Sequence, residues 1–389
     1  MSVTPHLVKD EHQKKALDAW KAAKYRGSVI CGTGFGKSRV GVLAVAHTLN
    51  TSDKPFDKAL VLVPTVQLQD QFKEEFTKWG HGDLLDKIEV MCYQSAYKLK
   101  GEYYDIVICD EVHLGLSPKH RKFFINNTYG RILCMTATLP EEPTYRAILA
   151  TLAPTVYSLS LDECVDLELV APYKILCIPL DLSVEERAEY QNINNSFGYH
   201  KKRLGYGAFD TAKAILADSN STPEDKATAF QFFACIRKRK KIIDHASAKV
   251  FKLQSIIAEH LDTQILVFGG SNAFTDELCA AIDDRAVAYH SDKTTKQKKN
   301  ALQRFNDGDA DVLCSTKALN QGFNVPNASV GVICGLTSKS LSMIQRLGRL
   351  LRFQVGKTGQ VYILYVQNSQ EENWLKEAVK DLRNITWVK

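Results

Sequence analysis

Four short runs in the first half of the chain are apolar almost end to end: Ala59-Leu-Val-Leu-Val, Ile88-Glu-Val-Met-Cys, Asp105-Ile-Val-Ile-Cys and Arg131-Ile-Leu-Cys-Met. A strand with one wet face alternates apolar and polar residues, whereas a strand covered on both faces does not. Runs of this kind, separated by stretches of helical spacing such as Gln13 to Lys24, point to a parallel sheet layered between helices. The second half repeats the pattern in Gln264-Ile-Leu-Val-Phe, Ala286-Val-Ala-Tyr, Asp311-Val-Leu-Cys, Val330-Gly-Val-Ile-Cys and Gln360-Val-Tyr-Ile-Leu-Tyr. At 389 residues the chain exceeds one ordinary core, so two tandem α/β domains are expected, each a doubly wound parallel sheet. The first is expected over 1–165 and the second over 261–389, with a link at 166–182. From Ser183 to His260 the chain is polar and strand-poor, which reads as a helical insertion over 183–260 at the entry to the second domain.

The first short strand, from Val29, runs into Cys31-Gly-Thr-Gly-Phe-Gly-Lys-Ser38. The phosphate-loop spacing is G-x-x-x-x-G-K-[ST]; Gly36, Lys37 and Ser38 fit it, and Cys31 stands at the first glycine position. Gly32, Gly34 and Gly36 let backbone N–H groups of the loop, with Thr33 and Phe35 between them, face phosphate oxygens, and a following helix N-terminus adds positive potential. Lys37 is placed to reach the β- and γ-phosphates of ATP and Ser38 to ligate Mg²⁺. Alone, a glycine-rich turn would also account for the stretch. Asp110-Glu111, at the end of the Asp105 run, supplies the partner: on a parallel strand nearby, Asp110 would hold Mg²⁺ through water and Glu111 would orient and deprotonate the attacking water.

Composition excludes several classes. No apolar run approaches the ~20 residues of a membrane span, and Met1-Ser-Val-Thr-Pro-His is no secretory signal, so a cytoplasmic protein is expected. The 10 cysteines include no C-x-x-C, and several end strand-like runs, which reads as reduced core thiols rather than a metal site. A net charge of +6 is compatible with a polyanionic partner without requiring one.

Asp110-Glu-Val-His113, the glycine loop and Met135-Thr136-Ala137-Thr138 together resemble the first motor domain of the superfamily 2 helicases and translocases, whose domains are RecA-like. The resemblance runs through nearly the whole chain in the family's order. It implies an adenine-reading Gln13, backbone contacts to nucleic acid at Pro64, Thr65, Gln94 and Ser95, and coupling of the ATP site to the strand through His113, Thr136 and Thr138. In the second half, Ser315-Thr316 through Gly322 and Asn324 resembles the fifth motif, implying strand contacts at Ser315 and Thr316 and nucleotide contacts at Gly322 and Asn324. Gln345-Arg-Leu-Gly-Arg349-Leu-Leu-Arg352 resembles the sixth. At helical spacing these side chains share one face, and the resemblance makes Arg349 and Arg352 fingers on the γ-phosphate, with Gln345 near the attacking water. One ATP site shared by two domains that cycle against each other is thus implied.

The DEVH box, and Leu350-Leu351 where RNA-remodelling members carry R-x-G-R, are similar to the XPB, UvsW and type III restriction branch, which favours DNA ahead of RNA. Asn324 departs from the aspartate of many relatives and weakens the expectation of ribose recognition. Tyr199-His-Lys201-Lys202-Arg203 with Tyr206 and Phe209, and Arg237-Lys-Arg-Lys-Lys241, mix cations and aromatics as a wedge at a DNA junction would, or as a solvated helix face would. The chain begins close to Gln13 and ends just after the second domain, so no nuclease is expected. The reading is a monomeric, minimal phage-type, ATP- and Mg²⁺-dependent helicase or translocase on single-stranded, forked or branched DNA. An RNA helicase, a non-unwinding duplex translocase and a nucleotide-dependent protein-binding switch are the alternatives.

Overall fold

A computed structural model describes residues 5–32, 34–50, 58–140, 142–169, 172–316, 328–337, 358–380 and 382–388. The chain divides between Tyr173 and Lys174 into two compact units.

The first unit runs α1 (Pro5–Ala22), β1 (Arg26–Cys31), α2 (Lys37–Asn50), β2 (Ala59–Val63), α3 (Gln67–Lys78), β3 (Ile88–Cys92), α4 (Tyr93–Ala96), β4 (Tyr103–Asp110), α5 (Lys122–Asn126), β5 (Thr128–Thr136), α6 (Pro143–Leu152), β6 (Thr155–Leu159) and α7 (Leu161–Asp166). The strands form one six-stranded sheet in the order β3-β2-β4-β5-β1-β6, parallel at every pairing. The continuous apolar runs are explained by burial on both faces. In β4, Ile106 and Ile108 join a core with Ala16, Trp20 and Val40 of the first two helices, while Val107 and Cys109 join the opposite core with Tyr93 and Phe123. β6 is an edge strand with no fully buried residue, which is why no apolar run announces it.

The second unit contains β7 (Tyr173–Leu180), α8 (Val184–Leu204), α9 (Ala208–Ala217), α10 (Pro223–Asp244), α11 (Ser247–Glu259), β8 (Gln264–Phe268), α12 (Asn272–Ala280), β9 (Ala286–Tyr289), α13 (Thr295–Asp307), β10 (Val312–Ser315), β11 (Ala328–Ile333), β12 (Gly359–Val366), α14 (Gln370–Val379) and β13 (Ile385–Trp387). Its seven-stranded sheet has the order β13-β7-β12-β11-β8-β10-β9. The 166–182 stretch is more than a link, because Tyr173–Leu180 is a strand of this sheet between β13 and β12.

The helices after β7 divide in two. α8, α9 and α10 share a small core of Leu204, Ala208, Ala212, Ala229 and Phe232. α11 instead buries Leu253, Ile256 and Ile257 against the sheet residues Ile265, Val267 and Val332. Ser183 starts α8 with a capping box, accepting from the Glu186 N–H while Glu186 accepts from the Ser183 N–H. At the far end Gly205 (φ +77°) and Gly207 (φ +70°) take the left-handed turn that glycine tolerates, and Tyr206 between them is fully exposed.

Candidate active site

β1, β5 and β4 are neighbours, in that order, in the first sheet. Their registers place Ile30 beside Thr136 and Asp110 beside Met135. The glycine loop after β1, Thr136 at the end of β5 and Asp110-Glu111 at the end of β4 therefore open at one sheet edge, the outer two strands about 10 Å apart across the middle one. The carboxyl edge of a parallel sheet is where doubly wound folds place their ligands.

Gly34 (φ +90°) and Gly36 (φ +84°) hold the loop in a left-handed path, and α2 begins at Lys37, so the positive end of its dipole faces the loop. A Cβ on Gly36 would overlap the Gln13 amide. The Gln13 Nε2 donates to the carbonyl oxygens of Phe35 (2.7 Å) and Gly36 (3.4 Å). Its Oε1 accepts from Arg39 at 2.8 Å. Arg39 also pairs with Asp10 and lies 4.1 Å over the Trp79 ring. Gln13 is buried with both ends of its amide on the loop and Arg39, so it braces the loop. Phe35 is fully buried, its ring 6.0 Å from Tyr157, and belongs to the core. The Lys37 ammonium donates to the Cys31 carbonyl at 2.8 Å. Thr33 lies outside the described residues.

Glu111 is buried and left-handed (φ +47°, ψ 55°), a conformation that costs a non-glycine residue energy and that clusters at functional sites. The Tyr93 hydroxyl donates to the Asp110 carbonyl at 2.9 Å, fixing the strand end from which Glu111 turns. The Thr136 hydroxyl lies 3.2 Å from Glu111 Oε2 and 3.1 Å from the Thr138 carbonyl. His113 Nδ1 is 3.2 Å from the same hydroxyl and 3.5 Å from Glu111 Oε2. Thr136 is thus the junction of Glu111, His113 and Thr138.

The donor set suits Mg²⁺. Ser38 and Asp110, both half-buried, offer one hydroxyl and one carboxylate, and no group of three His, Cys, Asp or Glu side chains able to hold a metal occurs among the described residues. Magnesium takes few protein oxygens and completes its shell with water and phosphate. The thiols are free and all but Cys279 are buried. Burial pushes Cys31, at the loop entrance, up to about 12, so it remains a protonated core thiol.

The remaining candidates fall in three places. Gln94 Nε2 donates to the Pro64 carbonyl at 3.3 Å, joining the ends of β2 and β3; Gln94 and Ser95 are exposed, and the Thr65 hydroxyl is buried with no partner among the described residues. In the second unit Ser315 is buried at the end of β10, and the Thr316 hydroxyl bonds Asn272 Oδ1 (2.6 Å) and lies 3.0 Å from the Thr275 hydroxyl. Lys201, Lys202 and Arg203 are exposed in the last turn of α8, with Arg203 paired to Glu224 at 2.6 Å. Gly322, Asn324, Gln345, Arg349 and Arg352 lie outside the described residues.

Residues 7–141 match the family described as type III restriction enzyme, res subunit, and residues 248–354 match the helicase conserved C-terminal domain. The chain is a superfamily 2 helicase of the XPB- and type III restriction-like branch. It is 26% identical over 370 residues to the DNA 3'-5' translocase XPB2 of Sulfurisphaera tokodaii, covering 89% of this chain and 80% of that protein. It is 23% identical to the DNA 3'-5' helicase XPB of Mycobacterium tuberculosis, covering 90% of this chain and 59% of that longer protein. The helicase domain of Pyrococcus furiosus Hef shares the fold, with a TM-score of 0.56 at 16% identity over 95% of this chain and 97% of that one.

In this helicase the matched C-terminal domain begins at residue 248, at the start of α11, in agreement with the packing of that helix on the second sheet. The sequence reading missed the brace of Asp10, Arg39 and Trp79 around Gln13. Tyr93, next to Gln94 in the chain, is buried and holds Asp110. No local signal marks these partners, since each acts across tens of residues of sequence.

Proposed function

We propose that this helicase hydrolyses ATP, with Mg²⁺, to move along DNA and to separate or migrate the strands of a fork or branch. The single observation that carries the reading is the convergence of the glycine loop, Asp110 and the Glu111–Thr136–His113 cluster at one end of three adjacent strands. The names of the two XPB relatives, a DNA translocase and a DNA helicase, support DNA as the track.

The loop N–H groups and the N-terminus of α2 receive the phosphates, and Lys37 exchanges the Cys31 carbonyl for a phosphate oxygen. Ser38 and Asp110 would hold Mg²⁺, which would supply neutralisation of phosphate charge. Glu111 takes a proton from the attacking water. The one proton of the Thr136 hydroxyl then has unequal acceptors: Glu111, once protonated, accepts more weakly, and the Thr138 carbonyl stands at a similar distance. Hydrolysis is thereby passed from the base to the segment after β5. Arg349, Arg352 and Gln345 are assigned to the γ-phosphate side on the family motif.

Pro64, Thr65, Gln94, Ser95, Ser315 and Thr316 are assigned to the sugar-phosphate strand, which loop-end hydroxyls and amides hold without reading sequence. The cations of α8 and the exposed Tyr206 are assigned to the junction. The deciding assay is ATP turnover on single-stranded, duplex, forked and four-way DNA and on an RNA fork, alongside strand separation. A steep rise with DNA that Lys37→Ala abolishes is expected. Turnover indifferent to every nucleic acid would favour a protein-binding switch, and stimulation by RNA alone would move the substrate class.

A further inference from the structure

α4 is a single turn, yet it touches the ends of three strands. It leaves β3 directly at Tyr93, and β2 lies between β3 and β4, which puts the outer two about 10 Å apart. Gln94 donates to the Pro64 carbonyl just beyond β2 (3.3 Å), and Tyr93 donates to the Asp110 carbonyl at the end of β4 (2.9 Å). The two sides of the turn differ. Gln94, Ser95 and Lys98, which helical spacing puts on one side, are exposed, whereas Tyr93 and Ala96 are each 1% exposed.

The buried side packs on the DEVH segment. A Cβ on Gly115 would come 2.7 Å from the Tyr93 ring, so glycine lets the turn after Glu111 lie against that ring. His120 stacks on Tyr93 with the ring centres 6.4 Å apart and the planes at 27°, lies 6.2 Å from the Tyr97 ring, and donates from Nδ1 to the Leu114 carbonyl at 2.8 Å. Burial pushes the Tyr93 hydroxyl well up, so it stays protonated and remains a donor.

The acceptor of that hydroxyl matters. The Asp110 carbonyl belongs to the peptide plane whose nitrogen is that of Glu111, so a turn of that plane changes φ at Glu111. Glu111 stands at φ +47°, a value that a non-glycine residue keeps only where its surroundings over-determine it. The Tyr93 hydroxyl therefore acts on the dihedral that aims the Glu111 carboxylate. It sits on a turn whose other side carries two side chains assigned to the DNA strand, so whatever seats Gln94 and Ser95 also seats Tyr93.

We propose that Tyr93 is a positioning residue through which strand engagement at Gln94 and Ser95 sets the aim of Glu111, so that DNA stimulates ATP hydrolysis by way of α4. The link runs toward Glu111, opposite in direction to the Thr136 link, and it rests on the nucleic-acid reading above. Tyr93→Phe keeps the ring against Gly115 and His120 and removes only the hydroxyl. Its ATP turnover is measured on the full chain without nucleic acid and at saturating single-stranded DNA, with strand affinity read by fluorescence anisotropy. The ratio of stimulated to basal kcat should fall about 2- to 12-fold, the range for one neutral hydrogen bond, with KM for ATP and strand affinity little changed. A ratio equal to that of the wild type overturns the proposal, whether neither rate moves or both fall by one factor; in the second case Tyr93 is a fixed support of Glu111 with no link to the strand. Hydrogen exchange on the wild-type chain gives a second reading that stands even if Tyr93→Phe misfolds. Strand added without ATP should slow exchange in peptides over 93–98 and over 110–116 together, and strand binding that leaves 110–116 unchanged overturns the proposal. A wild-type chain whose turnover no nucleic acid raises sinks the nucleic-acid reading itself, whatever Tyr93→Phe does.

Discussion

Lys249→Met tests how the second unit holds the ends of its central strands. Lys249 and Glu371 are buried to within 1% of full enclosure. The Lys249 ammonium donates to both carboxylate oxygens, at 2.8 and 2.9 Å. The same carboxylate accepts from the N–H of Leu336 (3.2 Å) and of Val366 (3.1 Å), so it ties α11 to the ends of β11 and β12. Methionine fills similar volume without charge and strands the carboxylate in the core. Breaking a buried pair in this way costs about 3–5 kcal/mol, which at a urea dependence of about 2 kcal/mol per molar lowers the unfolding midpoint by about 2 M. Burial already pushes the Glu371 carboxyl above its ordinary 4.5, against the opposing pull of Lys249 and the backbone donors. A carboxyl raised in the folded state contributes stability that is present below pH 4.5 and lost as pH rises through the folded value. Removing Lys249 extends that loss upward, so the penalty should be larger at pH 8 than at pH 5. Hydrogen exchange in urea, read on peptides of the second unit, separates this from unfolding of the first. Lys249→Met/Glu371→Gln removes the stranded charge, and its amide oxygen still accepts from one of the two N–H groups, so it should recover part of the loss. A penalty under about 1 kcal/mol, well below the broken-pair range, would refute the reasoning; so would one flat between pH 5 and 8, or a double variant as weak as the single.

Three further outcomes follow from the first unit and the helical segment. Thr136→Val removes a hydroxyl donor to a buried carboxylate, worth about 1.5–3 kcal/mol. DNA-stimulated kcat should fall about 10- to 150-fold with KM for ATP little changed, and Thr136→Ser should restore most of it; equal loss in both variants would remove the hydroxyl from the coupling. Arg39→Ala releases Gln13, Asp10 and the Trp79 ring together, and should raise KM for ATP about tenfold, consistent with a lost hydrogen bond and cation–π contact; an unchanged KM would mean that the brace does not preorganise the loop. Tyr206→Ala should keep strand-stimulated ATP turnover and lose fork separation. It is a cleaner probe than excising 196–209, because Leu204 and Ala208 belong to the core that α8, α9 and α10 share.

What was legible in the sequence is what each residue determines through its immediate neighbours. A strand buried on both faces must be apolar at successive positions, so β2 and β4 could be read without any partner in view. A loop that passes through left-handed conformations needs glycine, so Gly34 and Gly36 stand out as well. β6 and β13 were missed for the converse reason. They are short edge strands with every residue exposed or half-buried, and only the neighbour they pair with makes them strands. β7 was read as a link because Tyr173-Lys-Ile-Leu-Cys-Ile-Pro-Leu interrupts its apolar residues with lysine and proline.

The candidate site divides along the same line. Lys37, Asp110 and Glu111 are recognisable because the chemistry of a phosphate, a metal and a water fixes their types at short spacing. The groups that orient them are chosen by geometry alone. Tyr93 reaches Asp110 with a hydroxyl, Arg39 reaches Gln13 with a guanidinium, and Thr136 reaches Glu111 from a neighbouring strand. Each is a donor aimed at an acceptor, and another donor of suitable reach could in principle replace it. Positioning groups of this kind are therefore under weaker constraint on identity than on placement. Substitutions that keep the donor, such as Thr136→Ser, should be tolerated where those that keep only the shape, such as Thr136→Val, are not.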